Sequence, residues 1–326
     1  MERAITHAMG LLGDEGAAAT QNNKLTEADN FLYTRGNFEQ RRFRYQILEQ
    51  AREVLEGSRT DEYRVQAPLA WAQTQNSLGN ILAAQGQLHG DVGLFEKAIQ
   101  CFNHALEECP QEKSPLDWAA TQSHLGTAQQ ALGRQLDNAK WLKESVDAYT
   151  NALLVWSRQE TPEEWAAAMH QLGATFHAHG KLLKGNRTFQ KSVVAYKNAI
   201  AAFDADNHAL ALTAAHNNCG AVLHHLGESE ENADRLEEAI RSYETALTVS
   251  MEQQLPIHLA VLCRVNRATA RGVLAELTKD TTMADEVSDE FELIIECFPD
   301  ALQPLWLKHC EEQINRVKRA STAIHA

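Results

Sequence analysis

Apolar residues along this chain fall into two alternating helical stripes. From "PLAWAQTQNSLG" (68–79) onward, Trp71, Leu78 and Leu82 stand at i, i+7 and i+11, one face of a 3.6-residue helix. In "GLFEKAIQCFNHALEEC" (93–109), Phe95, Ala98, Phe102, Ala105 and Leu106 line a second amphipathic helix. The pair then returns: Gly79, Gly126, Gly173 and Gly220 lie 47 residues apart, and Gly86, Gly133, Gly180 and Gly227 follow them at a fixed offset. The second helix keeps the same step in Ala98, Ser145, Ser192 and Ala239, in Phe102, Tyr149, Tyr196 and Tyr243, and in Ala105, Ala152, Ala199 and Ala246. Four copies in one register predict a stack of helical hairpins, each burying its apolar face against the next.

Local signals mark where each helix begins and ends. "SPLD" (114–117) and "TPEE" (161–164) place Ser or Thr before Pro with an acid three residues on, which reads as an N-cap, a first-turn proline and a capping-box carboxylate. The glycine at 86 and its counterparts read as C-terminal stops. Trp71, Trp118 and Trp165 are placed to pack between successive copies, and no alternating β-branched run or hairpin dipeptide separates the segments. The divisions that follow are an N-terminal extension over 1–25, a degenerate first repeat over 26–67, four full repeats over 68–255, a degenerate fifth over 256–298 and a capping helix over 299–326. Leu48, Ala51 and Leu55, one period before Phe95, Ala98 and Phe102, carry the first of the degenerate copies. Leu305, His309 or Cys310, Ile314 and Val317 give the last helix its apolar stripe.

Leu78-Gly79 with Leu82, then Ala98, Phe102, Ala105 and Pro110, resemble the tetratricopeptide repeat. The resemblance covers about 68 to 250, and the extra length over that family's repeat of about 34 residues lies between helices or at their ends, as in a long-repeat bacterial variety. It implies an all-α fold, an α-solenoid of stacked antiparallel helix hairpins wound as a right-handed superhelix. It also implies a concave groove lined by the first helix of each hairpin. By register the groove residues are Gln73, Asn76 and Asn80, then Ser123, Thr127 and Gln130, then His170 and His177, then Asn217, His224 and His225, and finally Arg264. Such a lining is polar and nearly uncharged, and its amides can both donate to and accept from an extended peptide backbone.

Charge narrows the partner. Thirty Lys and Arg against 44 Asp and Glu leave a formal −14, which repels phosphate backbones and anionic bilayers, so neither nucleic acid nor a membrane is expected. The densest basic stretch, "RRFRYQ" (41–46), reads as a solvated face. Six cysteines without CxxC spacing, an N-terminus without an apolar signal core and the absence of a run of ~20 apolar residues lead to the expectation of a reduced, cytoplasmic protein.

Candidate chemistry is thin. "GKLLKGNRT" (180–188) has the glycines of a phosphate loop, but Asn186 stands where the lysine belongs. No HExxH, GxSxG or clustered Cys/His set occurs, so no cofactor and no catalytic residue is assigned. His170, His177, His179, His216, His224 and His225 crowd into the third and fourth copies without a carboxylate or thiolate to complete a metal set. The reading is a non-catalytic interaction scaffold or adaptor that binds a peptide segment or protein partner in the groove, with oligomeric state unassigned. The alternative is a ligand-responsive sensor in which a small molecule, peptide or metal acts at the histidine-rich copies.

Overall fold

The computed structural model describes residues 38–57, 60–298, 302 and 304–325; the 1–25 extension and the start of the first degenerate repeat lie outside them. Among the described residues every regular element is an α-helix: α1 (Phe38–Gly57), α2 (Asp61–Gln66), α3 (Pro68–His89), α4 (Val92–Glu108), α5 (Pro115–Gln135), α6 (Ala139–Ala152), α7 (Pro162–Leu183), α8 (Asn186–Ile200), α9 (Ala205–Ser229), α10 (Ala233–Glu252), α11 (Ile257–Thr278), α12 (Thr281–Cys297) and α13 (Pro304–His325). They fall into two compact units that divide between Ala195 and Tyr196. Within each unit consecutive helices pack on one another, the arrangement of an all-α solenoid.

In the first unit the hairpins α3/α4 and α5/α6 are closed by one device. A Cβ on Gly79 would stand 2.6 Å from Cε1 of Phe102, and one on Gly126 would meet Tyr149 at 3.1 Å, so the bare backbone of the first helix receives the ring of the second. Phe102 and Tyr149 are fully buried there, each contributing on the order of 2 kcal/mol of apolar burial. The small residues opposite add polar closure: Ser145 Oγ donates to the Gly126 carbonyl at 2.8 Å, and Ser192 Oγ to the Gly173 carbonyl at 2.7 Å. α1 packs Leu48 and Ala51 against Ile81 of α3. Trp118 and Trp165 share a cluster with Ala119, Ala152, Trp156 and Ala168, whereas Trp71 lies beneath the Arg64 guanidinium, 4.6 Å from its ring centroid.

Two sequence expectations are corrected here. The second glycines are not stops: α3 runs past Gly86 to His89, α5 past Gly133 to Gln135 and α7 past Gly180 to Leu183. A Cβ at 133 or 180 would lie 2.9 Å from Leu142 or Phe189, so these positions clear space for the second helix. The chain turns instead at a left-handed residue four positions after each of these glycines, filled by Gly90, Asp137 and Lys184 in successive copies and by Glu231 in the second unit. Nor do Ser114 and Thr161 cap their helices. Their backbones leave the extended region that a cap needs, Ser114 Oγ bonds the Asp117 carboxylate at 2.6 Å, and Thr161 Oγ1 accepts from the Ser157 amide at 3.0 Å. Side-chain caps stand at the second helices, at Asp91, Asn138, Asn232 and Asp280, and at one first helix, α9, where the Asp204 carboxylate accepts from the Asp206 amide.

The second unit repeats the scheme with Tyr243 under Gly220 and Leu236 under Gly227. Its core joins Val261, Val265, Phe291, Ile294, Trp306, Cys310 and Val317. Trp306 takes the buried place expected of Leu305, which is 41% exposed. α13 is held to α11 by Arg316, whose guanidinium sits 2.7 Å from Glu276 and 3.3 Å from Glu228 of α9.

Candidate partner-binding face

The sequence assigned the groove to one face of the first helices, and the two units present that face differently. In the first unit much of it is committed to joining one first helix to the next. His124 of α5 lies between Asn76 and Asn80 of α3, its Nδ1 3.0 Å from Asn76 Oδ1 and 3.2 Å from Asn80 Nδ2. A neutral imidazole serves one of these at a time, donating to the oxygen or accepting from the amide. Burial pushes its pKa down to about 4, which keeps the ring neutral. The next seam is similar: Gln130 Nε2 of α5 donates to Thr175 Oγ1 of α7 at 2.7 Å and to the Gln171 carbonyl at 3.1 Å, and Thr175 Oγ1 lies 3.3 Å from Ser145 Oγ.

The other assigned residues of this unit scatter. Gln73 is exposed and Ser123 half-buried. Thr127 is exposed, but its hydroxyl is 2.8 Å from the Tyr149 hydroxyl. His170 is buried, which lowers its pKa to about 4, and His177 is buried with its ring edge-on to Phe189 at 5.9 Å.

In the second unit Asn266 Nδ2 of α11 donates to Asn217 Oδ1 of α9 at 2.9 Å. Beside that bond a cleft opens between the two helices, lined by Leu210, Thr213, Asn217 and Asn218 of α9 and Leu259, Leu262 and Cys263 of α11. Thr213 is 2% exposed, and its hydroxyl has no hydrogen-bond partner among the described residues. Burial pushes the Cys263 thiol up to about 12, which removes it as a nucleophile and leaves the cleft neutral. His224 Nε2 is also buried and unbonded, with its pKa lowered to about 4, first by burial. His225 is exposed, and Arg264 stacks over the Phe298 ring at 5.7 Å with a guanidinium nitrogen 3.9 Å from Met251 Sδ.

Sequence reasoning missed His124, Thr213, Asn218 and Asn266. The signal was present for His124: it follows Asn76 and Asn80 at one period plus one residue and one period minus three, the offsets of a bond between neighbouring first helices. Among the described residues no three His, Cys, Asp or Glu side chains come together to hold a metal ion, and no helix is long and apolar enough to cross a membrane.

The tetratricopeptide repeat family matches residues 71–108, which span most of α3 and all of α4. Residues 71–108 form a repeat of tetratricopeptide type, set in an all-α architecture consistent with a solenoid of that kind. The 47-residue step of the sequence carries the Gly79–Phe102 contact of this matched copy into the second and fourth copies, as Gly126–Tyr149 and Gly220–Tyr243. A tetratricopeptide array of this all-helical kind typically binds protein partners and is typically non-catalytic. The crystal structure of BtubC (BKLC) from P. vanneervenii is similar at 16% identity and a TM-score of 0.49, covering 86% of this chain and 91% of that one. No curated protein matches the chain in sequence.

Proposed function

We propose that the chain is a non-catalytic scaffold that captures a peptide segment or protein partner on its first helices, with the α9/α11 cleft as the principal contact. The unbonded hydroxyl of Thr213 carries this reading. A buried hydroxyl without a partner costs about 1–3 kcal/mol, and a peptide amide or carbonyl entering the cleft supplies the missing bond. Leu210, Leu259 and Leu262 give an apolar wall beside it for one side chain of the ligand. The first-unit residues Asn76, Asn80 and Gln130 then act mainly to set the spacing of the first helices, since their amides are already engaged.

The test is selection from a displayed random-peptide library against the purified chain, followed by affinities for Leu210→Glu and Thr213→Val. Selected peptides should lose at least about tenfold with Leu210→Glu, the effect of facing an apolar anchor with an unpaired charge. Peptides that bind both variants as they bind the parent chain would place the contact elsewhere.

A further inference from the structure

From Trp165 to Phe203 the sequence holds five Lys or Arg and no Asp or Glu, although at the chain's average composition a stretch of that length would carry about five acids. Four of the cations, Lys181, Lys184, Arg187 and Lys191, sit within the first unit around the α7–α8 turn, all exposed. Lys143 of α6 adds a fifth positive charge: it and Lys191 both act electrostatically on His179 of α7, whose pKa is lowered first by burial and then by these two ammonium groups. Lys191 rests its ammonium over the Phe176 ring, 5.6 Å from the centroid. Among the described residues no carboxylate pairs with Lys143, Lys184, Arg187 or Lys191, in contrast to Arg64, Lys140 and Arg52 elsewhere in the same unit.

Packing does not call for cations here. The positions equivalent to Lys184, Arg187 and Lys191 hold Gly90, Gly93 and Lys97 in the first copy and Glu231, Asp234 and Glu238 in the fourth, and the hairpin forms in each. We propose that Lys143, Lys184, Arg187 and Lys191 form a docking patch for a carboxylate-rich segment of a protein partner, on the turn and the second helices rather than on the first-helix face. The patch is short, and the surrounding −14 chain repels a long polyanion once it extends more than about 10 Å, the Debye length in ordinary buffer, beyond these residues. Lysine predominates, offering point charges that suit freely arranged carboxylates more than the forked geometry of a phosphate. A short acidic peptide meets both limits.

Fluorescein-labelled decaglutamate is the probe, read by anisotropy at low and moderate salt. The chain should bind it saturably and more weakly as salt rises. The triple variants Lys184→Glu/Arg187→Glu/Lys191→Glu and Lys184→Gln/Arg187→Gln/Lys191→Gln should lose at least about tenfold in affinity with unchanged melting curves. Lys113→Glu, an exposed lysine in another turn of the same unit, should leave binding as it was. Equal losses with Lys113→Glu, no saturable binding, or tighter binding of a decathymidylate would overturn the proposal. So would salt-sensitive self-association that the triple variants abolish, since the occupant would then be a second copy of this chain.

Discussion

Asn266 of α11 donates to Asn217 of α9 at 2.9 Å, and Asn217 borders the cleft in which Thr213 keeps an unbonded hydroxyl. One polar residue there is tied to the fold and its neighbour is left for a ligand. Thr213→Val should therefore raise stability by about 1 kcal/mol, because it removes a buried group that lacks a partner at nearly constant shape. The same change should weaken any peptide bound in the cleft. Urea unfolding together with peptide titration of one variant checks both signs, and a loss of stability would mean that the hydroxyl has a partner after all.

Gly79→Ala should destabilise the first unit by about 2 kcal/mol. The added methyl would stand 2.6 Å from a Phe102 ring that is fully buried, so the ring cannot retreat without disturbing Leu78 and Leu125 around it. Gly93→Ala offers a control in the half-buried first turn of α4. It meets only the Asp91 carboxylate at 3.3 Å, and its melting temperature should stay close to that of the parent.

Asp137→Gly and Glu231→Gly should each stabilise the chain by about 0.5–1 kcal/mol. Both residues hold φ of 49°, the left-handed turn that the first copy assigns to Gly90. Thermal melts of the single variants and of the pair test this, with the pair expected to be additive. A fall in melting temperature would show that their side chains contribute more than the strained backbone costs.

Acid should weaken the fold through its buried imidazoles. His124, His170 and His224 have native pKa values of about 4, and an unfolded histidine titrates near 6.5. Above pH 6.5 both states are neutral and nothing changes. Between pH 6.5 and 4 the unfolded chain takes up protons that the native one refuses, so stability falls with pH by on the order of 3 kcal/mol per imidazole. His124→Gln, which keeps an amide facing Asn76, should reduce the proton uptake on unfolding by about one. Unfolding free energies at pH 7 and pH 5 give the number, and an unchanged difference would remove His124 from the account.

The repeat was legible because it rests on local chemistry. Period, helix number and the glycine-aromatic contact at Gly79, Gly126 and Gly220 all follow from spacing and residue size. The capping reading of Ser114 and Thr161 failed because their backbones leave the extended region and their hydroxyls bond Asp117 and Ser157 instead, a turn geometry that residue type and spacing do not set. Register put Asn76 and Asn217 on the first helices, but register does not say what a side chain meets. That depended on His124 and Asn266, each supplied by the next hairpin: other copies hold Ser77, Gln171, Asn218 or Val265 at the first position and Leu78, Leu125, Leu172 or Cys219 at the second. Arg264 illustrates the same limit, since Phe298 and Met251 determine where its guanidinium lies.

The bonds that align neighbouring first helices, Asn76–His124, Gln130–Thr175 and Asn217–Asn266, join neutral groups only. Dissolved ions screen charges and have little hold on amides and imidazoles. At these seams the spacing of the hairpins is therefore indifferent to ionic strength, and added salt can strip charged ligands from the surface while the helices that carry them keep their places.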